Sequence, residues 1–133
     1  GKKELVLKKN IQIILIFFLF FDVNSKEIEC QGAKLRIINK ITTEKNFYII
    51  PLSQTLELDN AKVRILRCLK IETDGKEDEI AILNHKPKVD KKNQEFLGWI
   101  FKSSQYLNLP VNPMYDIRLE GCLIEDPIFL KRQ

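Results

Sequence analysis

The chain has 133 residues, 44% of them apolar, with 22 Lys+Arg against 18 Asp+Glu for a formal charge of +4. That balance is too apolar for a disordered chain and fits one domain with a modest core. Lysine and glutamate are interspersed, as on a solvated surface, and no basic stripe marks a nucleic-acid partner.

Lys8 and Lys9 lead into an apolar run from Ile11 to Phe21, interrupted only by Gln12 and stopped by Asp22. Val23, Asn24 and Ser25 follow as modest residues around a cleavage point. This layout predicts a secretory signal helix over residues 1–25 and a periplasmic or otherwise exported product. A spanning helix needs about 20 apolar residues, well beyond this run. Ser25 is not an ideal cleavage residue, so the alternative is an uncut segment that tethers the protein to the inner membrane, its one expected membrane contact. The exported part, 108 residues, keeps 18 bases against 16 acids, so half of the net charge belongs to the leader.

Residues 26–32 read as a short, loose linker and residues 33–133 as the folded domain. Leu35, Ile37 and Ile41 alternate with Lys34, Arg36 and Lys40, a half-buried strand. Residues 42–45 form a polar turn before a second strand over residues 46–50, ended by Pro51. Leu56 and Leu58 flank a short third strand, and Asp59 with Asn60 suits a tight turn. Val63, Ile65, Leu69 and Ile71 then alternate with Lys62, Arg64, Lys70 and Glu72 in a fourth.

Two charged loops are expected, residues 72–78 with Gly75 at the tip and residues 84–93 around Pro87, on either side of a short apolar strand. Residues 96–101 read as a sixth strand with Leu97, Trp99 and Phe101 on the core face, and Gly98 at a bulge or close approach. A single helical turn is expected near residues 103–108, capped by Ser103 or Ser104. The last strand places Tyr115, Ile117 and Leu119 inward, and the tail from Ile124 either adds a strand or dangles. About seven short strands without a helix beyond the leader predict an all-β fold, a small antiparallel sandwich or barrel.

Three cysteines fall in the exported part. Cys30 lies in the linker, and its neighbours Ile28 and Glu29 do not suit an acylated lipoprotein cysteine. Cys68 and Cys122 are therefore expected to pair, closing a loop of about 55 residues at a gain of roughly 4 kcal/mol in the chain-entropy view. Strict alternation puts both on the polar faces of their strands. The bridge then either joins adjacent strands on the outer surface, or a bulge near Arg67 turns Cys68 inward.

Chemistry-bearing patterns are sparse. The single histidine, His85, reads as a solvated loop residue, and neither a metal nor another cofactor is expected. Ser103 or Ser104 with His85 and Asp116 is the one formal cast for a small hydrolase, but neither serine sits in a glycine-flanked elbow. Glu77, Asp78 and Glu79 read as a solvated loop tip.

Residues 96–122 carry Gly98-Trp99-Ile100-Phe101, then Ser103-Ser104, Asn112-Pro113, Tyr115-Asp116 and Cys122. Upstream stand Ala33-Lys34-Leu35-Arg36 with Asn39-Lys40, and Arg67-Cys68. In this order of motifs the chain resembles the DUF2155 family of small exported bacterial proteins, over about residues 33–122. The resemblance supports the Cys68–Cys122 pairing and an envelope address, and implies no activity. Asn112 stands where that family's pattern has histidine, and the paired prolines after the first cysteine are missing.

The expectation is an exported cell-envelope domain, not an enzyme, that binds another envelope protein. Its surface is taken as the loop of residues 103–113 and its surroundings: Trp99, Ser103, Ser104, Tyr106, Asn112, Pro113, Tyr115 and Asp116. A tethered subunit of a larger envelope complex, an oligonucleotide-binding type of barrel and a small hydrolase are the alternatives.

Overall fold

The computed structural model describes residues 25–89, 95–104 and 108–133. The expected signal helix and Tyr106 lie outside these residues. Among the described residues, nine strands form two antiparallel sheets: β1 (Ser25–Cys30), β2 (Gly32–Asn39), β3 (Lys45–Pro51), β4 (Thr55–Glu57), β5 (Ala61–Thr73), β6 (Lys76–Pro87), β7 (Phe96–Phe101), β8 (Tyr115–Leu123) and β9 (Lys131–Arg132). One sheet runs β1-β5-β6-β7 with β4 also on β5, and the other runs β8-β2-β3-β9. Neither order closes on itself among the described residues, so the fold is all-β without a closed barrel.

The core forms where the two sheets share one cluster. Leu35, Ile37 and Ile50 come from one sheet, Val63, Ile65, Leu83 and Ile100 from the other, and Ile117 and Leu119 close it. Alternation is the cause: each of these residues except Ile50, which lies between buried Ile49 and Pro51, has exposed or half-buried neighbours. Ile41 breaks the expectation at 73% exposed. The turn after Asn39 begins before it, and the Asn39 side chain accepts the Ile41 and Thr42 amides, taking that segment out of the strand.

Two bulges decide the cysteines. In β5 the pairing with β6 steps from Ile65–Leu83 to Arg67–Ile82, leaving Leu66 as the extra residue. In β8 the pairing with β2 steps from Leu35–Leu119 to Lys34–Gly121, leaving Glu120 extra. Each extra residue shifts the alternation by one, which turns the following cysteine from the polar face into the core. Cys68 and Cys122 are then bonded, with Cα atoms 5.6 Å apart, and tie one sheet to the other. An outer-surface bridge between adjacent strands is overturned, because β5 and β8 belong to different sheets.

Of the two expected charged loops, the first is strand on both sides of its turn, and residues 84–87 of the second are strand. Asp74 and Gly75, with φ of 52° and 77°, make a two-residue turn between Thr73 and Lys76, and β5 and β6 pair continuously from it. Their tip reads as loop in the sequence because it carries charge on both faces. The expected linker also pairs: Ser25 to Cys30 match Thr73 to Cys68, residue for residue. The tail adds β9 on β3, held by Gln54, whose amide donates to Ile128 O and accepts from Leu130 N.

Candidate functional site

Strand β7 presents an apolar strip outward. Cys68, Ala81 and Ile100 lie in one cross-strand row and are all buried, so the alternate rows face away. These are Leu69–Ile80–Phe101, Arg67–Ile82–Trp99 and Arg64–Asn84–Leu97. Leu97 is 62% exposed, and Trp99 and Phe101 are half-buried. The expected core face of β7 is therefore the outer one, and Ile100 is its core residue. FLGWIF is apolar on both sides, so alternation alone cannot choose. Gly98 does mark a close approach: a Cβ there would meet the Asn108 amide at 2.9 Å. Asn108 also donates to the Trp99 carbonyl.

Past the end of β7 lies an open cavity of about 860 Å³, bordered by Ile28, Ile71, Lys70, Glu79, Lys102 and Ser103. Ser103 belongs to this end, donating from Oγ to Asp78 at 2.6 Å and from its amide at 3.1 Å. Glu79 is the fixed charge of the cavity, with its side chain only 15% exposed. It accepts from Lys102 at 2.9 Å and from the Cys122 amide at 3.0 Å, with Lys70 at 3.6 Å. Burial raises its pKa, but the Lys102 bond, the Cys122 amide and the two lysine charges outweigh that, and its carboxyl is held below the usual range. Lys102 is raised in turn, first by the same hydrogen bond. The expected solvated acidic tip is thus partly wrong: Glu79 is anchored to the strand that carries Cys122.

The second expected cluster sits elsewhere. His85 is buried at 1% and Asn112 at 2%, which overturns the loop reading of His85. The Asn112 Oδ1 accepts from the Met114 and Tyr115 amides and from Asn60, while its Nδ2 donates to Asn60 Oδ1 and meets His85 Nε2 at 3.0 Å. Two backbone donors fix which way the amide points, so Nε2 must accept and the neutral ring carries its proton on Nδ1. Nδ1 is buried with no hydrogen-bond partner among the described residues. Burial lowers the His85 pKa. Tyr115 donates to Asp59, and burial followed by that bond raises its pKa. Asp116 pairs with Arg118 at 3.0 Å.

The proposed surface residues therefore divide between two ends of the sheet. Ser103 sits at Asp78, and Asn112 and Tyr115 sit with Asn60 and Asp59. Pro113 is exposed beside the second group, and Ser104 is half-buried beside the first. Asp78 and His85 are seven residues apart on β6, roughly 23 Å at about 3.3 Å per residue. Ser103, His85 and Asp116 are consequently not brought together as a triad. Among the described residues no group of three metal-ligating side chains occurs. Sequence reasoning missed Glu79 and the Asn112 knot. An Asn followed by Pro two residues before a strand is the signal that an Asx-type turn leaves.

No curated protein and no solved structure matches the chain. Residues 33–122 match the model of a family described as an uncharacterized protein conserved in bacteria, DUF2155. The match covers more than half of the sequence and includes both bonded cysteines, and on that ground the chain belongs to the DUF2155 family.

Proposed function

We propose that this protein is an exported cell-envelope module, non-enzymatic, which binds another envelope protein through the outward strip of β7. The observation that carries the reading is the buried inter-sheet bond between Cys68 and Cys122. Such bonds persist in oxidising compartments and are rare in reducing ones. The lysine-led apolar run before Asp22 supplies a matching export address. Leu97, with Trp99 and Phe101 beside it, gives the strip an apolar centre of the kind that protein interfaces favour.

Two measurements test this. The full chain, made with its own leader in a Gram-negative host, should fractionate outside the cytoplasm with Cys68 and Cys122 protected from alkylation until reduced. A folded cytoplasmic protein with both thiols labelled rejects export. A photo-crosslinker at position 97 should give a protein adduct in the envelope that the same group at Thr43 does not. Equal adduct patterns reject the strip.

A tethered subunit is the second reading. Only residues 22–24 separate the apolar run from β1, so an uncut leader would hold the domain close against the bilayer. Intact mass of the native protein distinguishes the two readings.

A further inference from the structure

All three cysteines of the chain converge on one point of the core. Cys68 is bonded to Cys122 across the sheets, and its direct partner across the β1–β5 ladder is Cys30. Cys30 is free and 1% exposed. Directly opposed residues of antiparallel strands have Cα atoms about 4.5–5.5 Å apart. That falls within the roughly 4.4–6.8 Å that a disulfide spans. Cys68 is therefore within bridging reach of two sulfurs and can bond only one of them.

We propose that Cys30, Cys68 and Cys122 form an internal thiol–disulfide exchange site with two alternative bonds, Cys68–Cys122 and Cys30–Cys68. The Cys30 thiolate attacks Sγ of Cys68 and forms the new S–S bond. The Cys68–Cys122 bond breaks, and Cys122 leaves as a thiolate that takes up the proton Cys30 released. One disulfide and one thiol stand on each side, so no outside oxidant or reductant enters.

The two forms differ in what they tie together. Cys68–Cys122 couples the two sheets. Cys30–Cys68 lies within one sheet, frees β8 from the covalent link, and fastens β5 to the strand that follows the apolar N-terminal run. Exchange is gated by β1, an edge strand whose first five residues are exposed, so that the sulfur leaves its pocket when the edge loosens. Burial holds the Cys30 thiol protonated, aided by Glu79 and Glu29, while a backbone hydrogen bond and the charge of Lys70 favour the thiolate. Faster exchange is expected as pH rises toward and beyond the thiol's ordinary range. This site goes beyond the binding role and does not depend on it.

The test uses the oxidised full chain, held under native conditions at pH 6 and pH 8.5, quenched in acid, alkylated and peptide-mapped. The expected result is a Cys30–Cys68 linked peptide with Cys122 alkylated, accumulating at least tenfold faster at the higher pH. Cys30–Cys122 should be the minor product, because the register opposes Cys30 to Cys68. Absence of any exchanged peptide overturns the proposal, as does Cys30–Cys122 in equal or greater amount, the mark of scrambling through unfolded chains. A C122S variant provides a second readout: Cys30 and Cys68 should bond in it, and two free thiols in a folded C122S protein overturn the proposal.

Discussion

Asn112 donates from Nδ2 to Nε2 of His85 across 3.0 Å, and this contact ties the segment before β8 to the far end of β6, an inner strand of its sheet. The Lys40 ammonium adds to the knot by donating to the Asn112 carbonyl at 2.8 Å. A protonated His85 would face the Asn112 amide donor to donor, and Asn112 cannot turn without abandoning two backbone amides.

Acid should therefore loosen this knot. The folded-state pKa of His85 lies below its ordinary 6.5, so the unfolded chain takes up the proton first. The contribution is whole above pH 6.5 and fades as pH falls from there through the folded value. Calorimetry should show the Tm of wild type falling between pH 7 and pH 5 more than that of His85→Gln. Equal slopes would dismiss the coupling. Asn112→Ala, which strands buried donors, should cost about 1–3 kcal/mol at pH 7.

Loss of the inter-sheet bond is the largest single effect expected. Cys122→Ala, kept reduced so that Cys30 and Cys68 do not bond in its place, should cost about 2–4 kcal/mol. For a domain near 100 residues that is roughly 8–32 °C in Tm at about 4–8 °C per kcal/mol. Cys30→Ala changes a buried thiol without breaking that bond, and a urea titration should place it well above the Cys122 variant in midpoint.

The Leu66 bulge supplies a less obvious expectation. Leu66 and Arg67 both point outward, so removing Leu66 leaves Ile65 in, Arg67 out and Cys68 in. The deletion variant should still form Cys68–Cys122, read by intact mass with and without reduction. Two free thiols in a folded deletion variant would show that the bulge does something other than set the alternation.

Glu79→Gln tests the cavity wall. The carboxylate holds Lys102 and the Cys122 amide, and its folded pKa lies below the ordinary 4.5. Its contribution is complete above that value and disappears as pH falls through the folded one. The variant should lose about 1–2 kcal/mol at pH 7, discounted because Lys102 is half-exposed, and less at pH 3. Urea midpoints at the two pH values check both.

Legibility in the sequence followed the alternation and stopped where it broke. Leu35, Ile37, Val63, Ile65, Ile117 and Leu119 could be placed inward from period two alone, and all six are buried. The Cys68 partnership was legible too, but not its depth, because an extra residue in a strand leaves no mark in composition. Leu66 and Glu120 resemble the outward residues around them. The β5–β6 tip was read as loop since charged side chains dominate it, whereas pairing there comes from backbone hydrogen bonds and the Asp74-Gly75 turn. The burial of His85 depends on Asn60 and Asn112, side chains from two other parts of the chain, and no local pattern announces such a meeting. The β7 facing failed for a simpler reason: with apolar residues on both sides, hydrophobicity carries no direction.

Strand β1 runs into β2 with only Gln31 between them, although the two belong to different sheets. Force arriving along the polypeptide from upstream of Ser25 would thus meet a sacrificial element. The ladder from Ser25 to Cys30 can be stripped from β5 while the packed interior stays whole, since its first interior side chain is Cys30 itself. Tension on that side would be spent on the β1–β5 ladder before it reached the rest of the core.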